Sequence, residues 1–102
     1  MKAKIMIVDD EPITRMDLRE MLEENGYHVV GEGKNSEEAI EKAFLLKPDL
    51  IIMDVEMPKV NGIKASTVIK GFSDSAILLL TAYSHYELIQ YANLMLRRNQ
   101  PK

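Results

Sequence analysis

The chain has 102 residues, with 13 Lys and Arg against 16 Asp and Glu, a formal net charge of −3, and neither Cys nor Trp. That length fits one domain with a single core, and a composition 46% hydrophobic and 28% charged is that of a globular chain, not a disordered one. Without cysteine there is no disulfide scaffold, thiolate metal site or cysteine nucleophile, so the reducing cytoplasm is the expected location.

No apolar run approaches the roughly 20 residues that span a bilayer. Basic residues cluster only at Arg97, Arg98 and Lys102, which leaves an acidic body and no expected nucleic-acid surface in the chain itself. Four short apolar runs recur, each followed by helical spacing, and this alternation predicts an α/β domain with a parallel sheet. The first strand runs from Lys4 to Val8, and a helix follows from about Pro12 with Leu18, Met21 and Leu22 on one face and Asn25-Gly26 as the stop. A second strand is expected over Tyr27 to Val30. Ser36 is a candidate cap for the next helix, in which Ile40, Ala43 and Phe44 keep helical spacing up to Lys47-Pro48.

The third strand spans Leu50 to Met53, followed by Asp54 and a loop through Asn61-Gly62. Ala65, Val68 and Ile69 mark the inward face of a third helix ending at Gly71. Ala76 to Leu80 is the fourth strand. Ser84 to Glu87 has the form of a capping box opening a fourth helix, with Leu88, Ile89, Ala92 and Met95 or Leu96 apolar.

Ligands of open parallel sheets bind beyond the carboxyl ends of the strands. There the sequence offers Asp9-Asp10, Gly31-Glu32, Asp54 and Thr81-Ala82. If the first and third strands are neighbours, Asp9, Asp10 and Asp54 converge as hard oxygen donors of the kind Mg2+ takes. No histidine or cysteine stands there for a softer metal, and His28 and His85 have no partner at metal spacing.

Ile5-Met6-Ile7-Val8-Asp9-Asp10-Glu11-Pro12, Leu50-Ile51-Ile52-Met53-Asp54-Val55-Glu56-Met57-Pro58, Asn61-Gly62 and Ile77-Leu78-Leu79-Leu80-Thr81-Ala82 occur in that order. Together they resemble the receiver domain of two-component response regulators, over about Lys4 to Ala92. The resemblance implies a flavodoxin-like, doubly wound sheet of strand order 2-1-3-4. It implies phosphorylation of Asp54 by the phosphohistidine of a sensor histidine kinase, with Mg2+ on Asp9, Asp10, Asp54 and the backbone carbonyl of Glu56. Thr81 would be the switch hydroxyl, and Glu56 and Tyr83 occupy the positions that tune phosphorylation lifetime in the family. The domain would assist its own phosphorylation without turning over a separate substrate, and would meet nucleic acid only through an output domain outside this chain.

One departure stands out. The family's fifth strand, its lysine and the fifth helix have no counterpart after Ala92, so residues 1–102 read as one receiver domain, incomplete at the C-terminal end, with an atypical tail from about residue 93. An uncovered fourth strand is a pairing hazard, and self-association covering that edge and a bare face of the first helix is expected. The alternative function is a non-switching interaction or oligomerisation module. A phosphatase on a similar sheet is disfavoured, because that class places a second aspartate where this chain has Glu56.

Overall fold

The computed structural model describes residues 3–54, 62–80 and 85–99, with the backbone alone at 85 and 97–99. Strands β1 (Lys4–Val8), β2 (His28–Gly33), β3 (Leu50–Asp54) and β4 (Ala76–Leu80) form one parallel sheet in the order β2-β1-β3-β4, as expected. They alternate with α1 (Pro12–Glu24), α2 (Ser36–Leu46), α3 (Gly62–Lys70) and α4 (His85–Asn99). β1 and β3 are the central strands with both faces covered, which is why Ile5 to Val8 and Leu50 to Met53 are unbroken apolar runs.

Right-handed crossovers decide which helix covers which face. The step from β1 to β2 runs one way across the sheet, and the steps from β2 to β3 and from β3 to β4 run the other. Hence α2 and α3 share a face, where Ala39, Ala43, Ala65 and Ile69 pack on Met6, Val8, Ile51 and Met53. On the opposite face Leu18 and Leu22 of α1 pack on Ile5, Ile7, Leu50 and Ile52. Among the described residues no strand follows α4, so the crossover rule does not bind it. It folds back onto the α1 face, where Leu88, Ala92 and Leu96 join that same cluster and α4 touches α1. α4 thus covers part of the first helix, on which Ile13 and Met16 remain exposed. The fourth helix, expected to carry Met95 or Leu96 on its apolar side, continues to Asn99.

Four local expectations shift. β2 extends to Gly33, because Gly31, Glu32 and Gly33 pair with Met6, Ile7 and Val8 beyond a register irregularity at Ile5/Met6. α2 lies close to this end of β2: a Cβ at Gly31 would sit 2.5 Å from Leu46 Cδ1, so that side-chain end would have to turn aside, and one at Gly33 would be in ordinary contact at 3.4 Å with the Ala39 main-chain nitrogen. The cap of α2 is Asn35, whose side chain accepts from the Glu38 N–H at 2.8 Å, with Ser36 the first helical residue. Val68 is 44% exposed, because Gly62, Ala65 and Ile69 define the buried stripe of α3 and Val68 lies about 100° around the helix from Ile69. Phe44 likewise faces outward, with Ala39 and Ala43 buried instead, and meets Phe72 edge-on at 5.7 Å. Ser84, expected within a capping box, lies outside the described residues.

β4 is the sheet edge. The Ala76 N–H donates to the Asp49 carbonyl at 3.0 Å, so the strand's alternation turns the main-chain groups of Ile77 and Leu79 away from β3. Among the described residues no strand pairs with that outer edge.

Candidate metal centre

β1 and β3 run in register, with Val8 opposite Met53, so the residues that come next on each strand, Asp9 and Asp54, emerge side by side at the carboxyl end of the sheet. Asp9 is only 2% exposed. Its N–H donates to the Gly33 carbonyl at 3.0 Å, and its carboxylate Oδ1 accepts from the Glu11 N–H at 2.8 Å. That turn lets Pro12 start α1 with a ring nitrogen that has no proton to satisfy. Asp10 is exposed at the same turn, and Asp54, the last residue of β3, is half-buried.

One carboxylate oxygen from each of Asp9, Asp10 and Asp54 lies within 4.8 Å of the other two. At an effective dielectric near 20, two unit charges at that separation repel by about 3 kcal/mol. Burial pushes the Asp9 carboxyl above the ordinary carboxylate range, against the lowering effect of the Glu11 N–H. Asp54 and Asp10 push it further up, and Arg15 pulls it down. Three oxygen donors gathered in one place, with no imidazole or thiolate in the group, fit a small hard dication such as Mg2+.

The sequence thus anticipated the three carboxylates that the fold gathers. Glu56 and Thr81, the other two expected site residues, and Tyr83 lie outside the described residues. Sequence reasoning missed the group behind Asp9. Arg15 Nη1 donates to the Asp9 carbonyl at 2.6 Å and its Nε to Glu32 at 3.2 Å, while Arg19 also pairs with Glu32. The available signal was two arginines four apart on the first helix, together with Glu32, which the sequence places at the carboxyl end of the second strand.

Residues 5–95 match the family described as the response regulator receiver domain. The transcriptional regulatory protein PdtaR of Mycobacterium tuberculosis is 47% identical over 89 residues, which cover 87% of this chain and 43% of PdtaR. The chemotaxis protein CheY of Thermotoga maritima is 40% identical over 80 residues, covering 78% of this chain and 67% of CheY. Among solved structures, a LuxR-family response regulator from Aurantimonas superposes with a TM-score of 0.88 at 28% identity, over 98% of this chain and 89% of that one. The response regulator TrrA of Thermotoga maritima, crystallised in complex with Mg2+–BeF, gives 0.80 at 36% identity, over 93% and 99%. The chain therefore spans less than half the length of PdtaR and most of the length of TrrA.

Proposed function

The chain belongs to the response regulator receiver family, and from that membership we propose that it is a phosphoacceptor that takes a phosphoryl group from the phosphohistidine of a sensor histidine kinase onto Asp54. The convergence of Asp9, Asp10 and Asp54 at the ends of adjacent strands carries this reading. A bound Mg2+ would neutralise charge on the phosphoryl oxygens, and Asp9, Asp10, Asp54 and the backbone carbonyl of Glu56 are the groups proposed to hold it.

Phosphoryl transfer demands little covalent chemistry of the protein beyond an in-line nucleophile. An Asp54 carboxylate oxygen forms the new bond to phosphorus as the bond to the donor nitrogen breaks, and the imidazole leaves with its electron pair. Asp9, fixed by the Glu11 N–H, keeps its carboxylate beside that of Asp54. Thr81 would donate to the new phosphoryl group and draw its loop inward, which changes a partner-binding surface.

In this reading residues 1–102 act as a single receiver domain in the cytoplasm, assisting their own phosphorylation and dephosphorylation without turning over a separate substrate. Output, including any contact with nucleic acid, would lie in other parts of a longer regulator or in a partner. The acidic trio is the donor set that phosphotransfer calls for, so the non-switching alternative is not favoured. The test is label transfer from a phosphorylated histidine kinase domain: the parent chain acquires the label and Asp54→Asn does not. Equal labelling of both would refute the assignment.

A further inference from the structure

Asp9 is held at two points. Its Oδ1 accepts from the Glu11 N–H at 2.8 Å, and its main-chain carbonyl accepts from Arg15 Nη1 at 2.6 Å. Arg15 reaches back from the first turns of α1, and its Nε donates to Glu32 Oε1 at 3.2 Å. Glu32 is itself secured, because its other carboxylate oxygen is bound by Arg19 and its main-chain carbonyl accepts from Lys42 Nζ of α2. A run of contacts thus leads from α2 through the end of β2 and the guanidinium of Arg15 to the end of β1, where the carboxylates meet.

We propose that Arg15 is a positioning residue for the metal centre, with Glu32 aiming it: together they fix the main chain of Asp9 and so the direction of its carboxylate. The inference rests on the reading of the acidic trio as a Mg2+ site, and adds to it two residues that touch neither the cation nor the phosphoryl group. The planar guanidinium makes two directed bonds from one side chain, to the Asp9 carbonyl and to Glu32. A lysine ammonium on the same stem is a point charge without that fork.

The Arg15–Glu32 pair leaves 19% and 28% of the two side chains exposed. Partly exposed ion pairs add little to folding stability, whereas residues that orient metal ligands from behind commonly change metal affinity 10- to 100-fold. The two roles therefore separate in one experiment, in which Mg2+ binding is measured by titration calorimetry and urea unfolding is measured without metal. The chains compared are the parent, Arg15→Lys, Glu32→Gln and the double variant.

The proposal expects Mg2+ affinity to fall roughly tenfold or more in Arg15→Lys and in the same direction in Glu32→Gln, with urea midpoints close to the parent's. The double variant should bind no more weakly than Arg15→Lys alone, because both substitutions break one link. If Arg15→Lys does not fold, Glu32→Gln with Arg15 in place decides the matter by the same drop. Affinity unchanged within twofold overturns the proposal, as does a lowered urea midpoint with unchanged affinity, or losses that multiply in the double variant. A parent that takes up no Mg2+ removes the underlying reading of the site as well; a parent that binds while the variants match it removes the clamp alone.

Discussion

Asp9 and Asp54 stand beside each other because Val8 and Met53, the residues before them, are in register on the two central strands. The site is therefore a consequence of strand order, and its energetics follow from burying one of those acids.

The first prediction concerns Asp9 and pH. Its folded pKa is raised, so its contribution to stability is complete below the unfolded value of 3.8 and is lost as pH rises through the raised folded value. At neutral pH the metal-free chain carries a buried charge that Asp9→Asn removes, and asparagine keeps an oxygen to accept the Glu11 N–H. Without Mg2+, Asp9→Asn should melt above the parent at pH 7, and the gap should close as pH falls below 3.8. A variant that melts below the parent at pH 7 contradicts this account.

Mg2+ should reverse that order. Free cation at 100 times its dissociation constant stabilises a folded chain by about 2.7 kcal/mol, or roughly 10–20 °C in a domain of this size. Differential scanning calorimetry should show that rise in the parent and none in Asp9→Asn or Asp54→Asn. Ca2+, which prefers more ligands at longer distances, should give less.

The third prediction tests the seat of α4. Leu88 is 1% exposed within the cluster beneath α4, so Leu88→Ala should cost about 2–5 kcal/mol in urea unfolding. Leu94, on the outer side of the same helix and 51% exposed, should change stability by no more than about 0.5 kcal/mol when truncated to alanine. Equal effects would mean that α4 does not dock through Leu88.

The fourth concerns the open side of β4. Among the described residues no strand pairs with the outward main-chain groups of Ile77 and Leu79, and β4 carries no charge or proline, features that ordinarily protect an edge. Light scattering should show mass rising with concentration, and Leu79→Lys should bring it back to the monomer. A parent mass that stays monomeric at all concentrations refutes self-association through this edge.

Much of this was legible from the residues, for reasons that also explain the misses. β1 and β3 are buried runs and β4 an apolar, half-buried one, all made visible by chain alternation, and Asp9, Asp10 and Asp54 follow from where the first two end. The last residues of β2 were not visible because the apolar run ends at Val30, and Gly31, Glu32 and Gly33 continue the pairing without an apolar pattern. Glu32 was visible at the carboxyl end of that strand, but its link to Arg15 was not, because it depends on how α1 lies against β2. The side taken by α4 could not be read either, since handedness constrains a helix only when a strand follows it.

The most direct test of the central claim is intact mass after incubation with Mg2+ and a small acyl phosphate, for the parent and Asp54→Asn, each with and without a chelator. The account predicts one phosphoryl group on the parent, only with Mg2+ present, and none on the variant. A parent that stays unmodified under conditions that label another receiver domain, or a variant labelled as readily as the parent, would contradict it.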